Sequence, residues 1–127
     1  MKFPSVCPEI PVSDLDAAVA YYRERLGFGV DWVADDIGLA GVSRGGSRMF
    51  LSTAAFREGL GLKAPVVLWL NLDNRDEVDA LHAEWAKAGA IITSPPEAKP
   101  YKLYEFYAQD PDGNYFRVFY DFGWEEK

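Results

Sequence analysis

The sequence predicts an α+β fold of two βαβββ repeats, whose curved mixed sheets surround a cleft and carry the helices on their outer face. A chain of 127 residues that is 49% hydrophobic has enough apolar material for a core. Two amphipathic helical patterns each end at a glycine, and strand-like runs surround both helices in the same order. Gly27 and Gly89 lie about half the chain apart, the spacing of an internal duplication.

The first repeat is predicted to begin with an edge strand at 6–12, because its prolines remove hydrogen-bond donors from a ladder. A helix follows over 14–26, with Ser13 as the predicted N-cap and apolar residues every three or four positions. Gly27 then supplies the left-handed residue that ends the helix. Three more strands are predicted at 28–33, 37–42 and 48–52.

The second repeat is predicted to begin with a more apolar strand at 66–72. Either Asp73 or Asn74 caps the next helix, which ends at Gly89. The run Asp110-Pro111-Asp112-Gly113-Asn114 has the composition of a tight turn before the last strand. The strands after the helix are predicted at 91–93, 103–109 and 115–120.

Residues 1–127 are predicted to form a single domain, with repeat 1 at about 1–56 and repeat 2 at about 65–127. The stretches 54–64 and 94–102 are predicted loops, and the first of them links the repeats. One helix covers only one face of a four-stranded sheet. The other face must meet the second repeat or a second subunit, and the sequence leaves both arrangements open.

Charge and composition exclude several kinds of partner. Thirteen Lys and Arg against 20 Asp and Glu give a net charge of −7, which disfavours nucleic acid and anionic membranes. No run approaches the ~18 apolar residues of a membrane span, and the first residues lack the apolar stretch of a signal peptide. The single cysteine, Cys7, excludes an internal disulfide. We expect a soluble, cytoplasmic protein.

Motifs near both ends of the chain resemble one superfamily. Residues 12–22, followed by Leu26-Gly27-Phe28, resemble the opening of the vicinal-oxygen-chelate superfamily of glyoxalases, bleomycin resistance proteins and extradiol dioxygenases. The run at 110–114 is similar to the hairpin before that superfamily's last strand. Within the superfamily, the closest resemblance is to bleomycin resistance proteins, carried by residues 10–14, 28–30, 104–106 and 116–118.

Enzymes of the resembled superfamily bind a divalent metal at four inward positions, usually with His and Glu. The resemblance places these positions on Cys7, Phe50, Val67 and Arg117. A hard divalent ion takes oxygen or imidazole ligands, so this set does not suit one. The only histidine, His82, lies on the second predicted helix. We therefore expect no metal, no cofactor and no catalytic residue. A lyase or dioxygenase-type enzyme with a divergent site around Glu105 and Arg117 is the alternative.

Side chains that alternation aims at the cleft suit a binding protein. Aromatic rings bind planar or cationic groups by stacking and cation–π contact, although such rings also build cores. The resemblance implies a homodimer that sequesters a bleomycin-type antibiotic, or a similar cationic aromatic ligand, in a groove at the subunit interface. The predicted ligand-binding residues are Trp32, Arg48, Phe50, Trp69, Tyr104, Glu105 and Arg117.

Overall fold

The computed structural model describes residues 1–126 and divides into two compact units. The first unit is Met1–Ala64, and the second begins at Pro65. Each unit holds one mixed four-stranded sheet and one long helix in the order βαβββ. This order confirms the predicted α+β class and the predicted repeat. No helix within residues 1–126 is long and apolar enough to cross a membrane.

The first unit is a sheet of order β1-β4-β3-β2, with β1 parallel to β4 and the other pairs antiparallel. As predicted, β1 is an edge strand, but it is shorter than the predicted 6–12 because the prolines of this run limit its pairing. The bounds are β1 Glu9–Pro11, α1 Leu15–Glu24, β2 Gly29–Ala34, β3 Leu39–Arg44 and β4 Ser47–Ser52.

Helix α1 begins one residue later than predicted. Asp14, not Ser13, is the N-cap, because its carboxylate accepts the backbone N–H of Ala17 at 3.0 Å. The helix also ends two residues earlier than predicted, at Glu24, with Arg25 in the right-handed region as its C-cap, and the left-handed Gly27, with a φ of 76°, lies two residues beyond that cap. The apolar stripe of α1 packs on its sheet, where Tyr22 is fully buried and meets Phe28 edge-on.

The second unit is a sheet of order β5-β8-β7-β6, with β5 parallel to β8. Asn74 caps its helix by accepting the N–H of Glu77 at 2.8 Å, and Gly89 ends it with a φ of 85°. Asn74 is therefore the cap among the two predicted candidates. The bounds are β5 Val67–Asn71, α2 Arg75–Ala88, β6 Ile91–Ala98, β7 Leu103–Gln109 and β8 Tyr115–Asp121, followed by a 3₁₀ helix at Phe122–Glu126.

The predicted loop at 94–102 is wrong over its first half, because β6 continues to Ala98. Two register shifts against β7, one after Ile92 and one after Ser94, let the strand continue through its prolines. β6 is also an edge strand, where a proline leaves no ladder partner unsatisfied. The 3₁₀ helix at Phe122–Glu126 was not predicted either.

The second sheet packs one face on α2. Trp85 of the helix is buried and meets the rings of Phe106 and Phe116 edge-on, at centroid distances of 5.8 and 5.7 Å. Side chains alternate along a strand, so the residues between these point away from α2. We call that side the open face of the second sheet.

Candidate functional site

The open face of the second sheet carries an arginine between two aromatic rings. Trp69 of β5 pairs with Arg117 of β8, and Arg117 pairs in turn with Tyr107 of β7. The guanidinium carbon of Arg117 lies 4.7 Å from the Trp69 ring and 4.6 Å from the Tyr107 ring. Both contacts have cation–π geometry. We call this group the Trp69–Arg117–Tyr107 stack.

Trp69 is the accessible member of the stack. Its side chain is 49% exposed, and its ring also meets Phe119 edge-on at 5.5 Å. A half-exposed tryptophan that already contacts Arg117 and Phe119 offers a preorganised surface for a planar ligand, since few rotamers remain to be ordered on binding.

Beside the stack lies a carboxylate that is completely buried. Oε1 of Glu105 accepts the hydroxyl of Tyr107 at 2.6 Å and also the hydroxyl of Tyr101. The other oxygen, Oε2, is buried and has no hydrogen-bond partner within residues 1–126. Burial, and then the hydrogen bond to Glu105, raise the pKa of Tyr107, while Arg117 opposes the shift. Tyr107 therefore stays a hydroxyl donor at neutral pH.

The helix-free side of the first sheet carries a second aromatic group. The Trp32 indole lies over Gly41, so close that a Cβ there would sit 2.7 Å from the ring. Trp32 also contacts Phe50 at 5.4 Å between centroids, and the guanidinium carbon of Arg48 lies 5.9 Å from the Phe50 ring. Gly41 is thus the position that allows the indole to lie flat on the strand.

The first unit also contains an open cavity of about 470 Å³. Its wall includes the thiol-bearing Cys7, the guanidinium of Arg48 and the pair Asp31–Ser43, in which the serine hydroxyl donates to the carboxylate at 3.0 Å. The volume suits a small organic molecule. Arg48 therefore borders both this cavity and the Trp32–Phe50 pair.

The structure groups six of the seven predicted ligand-binding residues into two sets and separates the seventh. Trp69, Glu105 and Arg117 lie together in the second unit. Tyr104 lies on the opposite side of the sheet, where its hydroxyl donates to Asp79 of α2 at 2.6 Å. That hydrogen bond is the largest cause of its raised pKa. The first unit holds the remaining three, Trp32, Arg48 and Phe50.

Tyr107 lies beside the predicted residues of the second unit, but it was not itself predicted. It contacts Arg117 through its ring and Glu105 through its hydroxyl. The sequence did contain a signal for Tyr107, because residues two apart on a strand share a face and Tyr107 is two residues from Glu105.

Comparisons with known proteins agree with this architecture. The profile of the Glyoxalase/Bleomycin resistance protein/Dioxygenase superfamily matches residues 5–118. The chain therefore belongs to this superfamily, which confirms the resemblance seen in the sequence. No match was found among curated protein sequences.

Three solved structures illustrate the range of similar proteins. A bleomycin-binding protein from bleomycin-producing Streptomyces verticillus, complexed with copper(II)-bleomycin, is 28% identical with a TM-score of 0.71, covering 93% of this chain and 96% of that one. A superfamily member from Sphaerobacter thermophilus is 26% identical with a TM-score of 0.73, covering 93% and 98%. A lactoylglutathione lyase from Agrobacterium tumefaciens is 21% identical with a TM-score of 0.77, covering 97% and 98%, and shows the fold alone.

The four positions to which the sequence resemblance assigns a metal do not suit a divalent cation. Phe50 pairs with Glu9 of β1 just as Arg117 pairs with Trp69 of β5, so Phe50 and Arg117 occupy equivalent places in the two sheets. With Cys7 and Val67, the four positions offer a thiol, a phenyl ring, an aliphatic group and a guanidinium. Within residues 1–126, no cluster of three or more His, Cys, Asp or Glu could hold a metal ion.

Proposed function

We propose that this protein binds a planar aromatic small molecule of the bleomycin type and sequesters it without chemistry. The observation that carries the proposal is the Trp69–Arg117–Tyr107 stack, with its half-exposed indole on the open face of the second sheet. Aromatic antibiotics contain planar rings that stack on such a surface. The likeness to a protein that binds copper(II)-bleomycin supports the choice of ligand class.

The side chains at the metal positions favour binding over the metal-dependent enzymes of the superfamily. A lyase or dioxygenase mechanism needs a metal that polarises its substrate. Of the residues that the resemblance assigns to the metal, Arg117 is a cation, and Val67 and Phe50 supply no donor atom. The same residues provide apolar and cation–π contacts, which serve a ligand held in its ground state.

Calorimetric titration with metal-free bleomycin and with copper(II)-bleomycin tests this function. We expect saturation near one ligand per chain for at least one of the two forms. The net charge of −7 favours a cationic ligand, so binding should weaken at high salt. Absence of binding by both forms would contradict the bleomycin proposal. Recovery of chemically altered bleomycin would favour the alternative enzyme around Glu105 and Arg117.

We also propose that the protein is a homodimer. The first unit exposes large apolar side chains at its N-terminal segment and its β2 edge strand, and a second subunit would bury them. Light scattering at micromolar concentration should therefore give twice the mass of one chain, and a monomer mass would contradict the proposal. The exposed side chains are Phe3, Val6, Trp32 and Val33.

A further inference from the structure

A buried carboxylate oxygen of the second unit lacks a hydrogen-bond donor. Both tyrosine hydroxyls that contact Glu105 donate to Oε1, which leaves Oε2 without a partner in the described part of the chain. Folded proteins rarely bury a polar atom without a partner, because the atom loses its water and gains nothing in return. Oε2 is therefore an acceptor that a ligand N–H could satisfy.

Arg117 has N–H donors without an acceptor in the described part of the chain. Aromatic rings lie within 5 Å on both sides of its guanidinium, so its N–H edge is the part that remains for hydrogen bonding. Among residues 1–126, neither an ion pair nor a hydrogen bond engages that edge. An arginine edge recognises carbonyl, carboxylate or phosphate oxygens.

The two unsatisfied groups lie on one face, linked by a single side chain. Tyr107 bonds to Glu105 through its hydroxyl and stacks on Arg117 through its ring. Glu105 and Tyr107 are two residues apart on β7, a distance of roughly 7 Å along the strand. The formal charges of Glu105 and Arg117 cancel, so the pair as a whole favours neither a cation nor an anion.

We propose that Glu105 and Arg117 recognise a neutral aromatic carboxamide, and this inference rests on the proposed function and specifies its ligand class. The amide N–H would donate to Oε2 of Glu105, and its carbonyl would accept from the edge of Arg117. The attached ring would stack on Trp69, the exposed member of the stack. Tyr101 and Tyr107 orient the carboxylate through Oε1. Oε2 is buried before the ligand arrives, so binding requires a side chain that covers it to move aside, and we assign this movement to Tyr101, which is 53% exposed.

Nicotinamide and methyl nicotinate test the proposal, because they share a ring and a carbonyl but only the amide carries an N–H. We expect nicotinamide to bind the full chain about tenfold more tightly than the ester, as measured by amide chemical shifts in an NMR titration. Equal affinities would overturn the proposal, and this comparison needs no variant.

Glu105→Gln tests the assigned residue. The glutamine can still accept both tyrosine hydroxyls through its oxygen, but its amide places a donor where Oε2 was. The preference for nicotinamide should fall to less than about twofold. Glu84→Gln is the matched control, since Glu84 is an exposed glutamate of α2, which packs on the opposite face of the same sheet. A Glu84→Gln variant that loses the preference, or a Glu105→Gln variant that keeps it, would overturn the assignment.

Bleomycin titration of the same samples separates the two proposals. Bleomycin binding without a preference for nicotinamide would overturn the carboxamide inference and leave the proposed function standing. A Glu105-dependent preference without bleomycin binding would support the inference and remove bleomycin as the ligand.

Discussion

Replacing Trp69 by alanine is expected to weaken bleomycin binding by about tenfold or more while changing the stability of the fold little. Stacking on an aromatic side chain is worth about 1–3 kcal/mol, as measured for nucleic acid bases. The Trp69 side chain is half exposed, so its loss leaves no core cavity. Removing its contact with Arg117 costs about 0.5–1 kcal/mol. Titration calorimetry and thermal unfolding measure the two effects separately.

Trp124→Ala is the matched control for this experiment. Trp124 lies in the C-terminal 3₁₀ helix and is 64% exposed, so its removal changes the tryptophan count and the exposed apolar area in a similar way. We expect its affinity for bleomycin to equal that of the wild type. A Trp69→Ala variant with wild-type affinity would remove Trp69 from the site.

The fold was predictable because its signals are local. Gly89 stops the second helix with a positive φ angle, Gly27 adopts one just beyond the first helix, and Asn74 caps the second helix as one of its two candidates. The errors lie where contacts between strands decide the outcome. The predicted loop at 94–102 contains prolines that argue against a strand, yet the edge position and the register shifts of β6 accommodate them.

The site was predictable only where alternation along a strand could be applied. Adjacent residues on a strand point to opposite faces, so Tyr104 and Glu105 could not both lie on the open face. The structure assigns Tyr104 to the helix side, through its bond with Asp79. The contact of Tyr101 with Glu105 depends on the turn before β7, where Lys102 has a φ of 71°. A non-glycine residue in that region gives no signal in the sequence.

The internal repeat shows how one fold carries two different surfaces. Phe50 and Arg117 occupy equivalent positions by strand register, and each contacts two side chains of its own sheet. Phe50 contacts the Trp32 ring and the Arg48 guanidinium, whereas Arg117 contacts the rings of Trp69 and Tyr107. Both units therefore have a contact between a guanidinium and an aromatic ring at this position. In the first unit the ring occupies the position, and in the second unit the guanidinium does.

Replacing Asn114 by alanine is expected to lower the free energy of unfolding by about 2–4 kcal/mol. Asn114 is fully buried in the turn before β8, where its Nδ2 donates to Oδ2 of Asp110 at 2.9 Å. Its Oδ1 accepts the backbone N–H of Val66 at 3.0 Å, which ties the start of β5 to this turn. The variant leaves both partners without these hydrogen bonds, and each unsatisfied buried group costs about 1–3 kcal/mol.

Asn71→Ala is the matched control, because Asn71 is an exposed asparagine at the end of β5. Its substitution should change the free energy of unfolding by less than about 0.5 kcal/mol in urea denaturation followed by circular dichroism. The comparison distinguishes the loss of the buried Asn114 hydrogen bonds from the loss of any surface asparagine side chain. A loss at Asn114 no larger than that at Asn71 would mean that the run at 110–114 acts only as a local turn. A selective loss would show that this run, which the sequence marks as a turn, also fixes the distant first strand of its sheet.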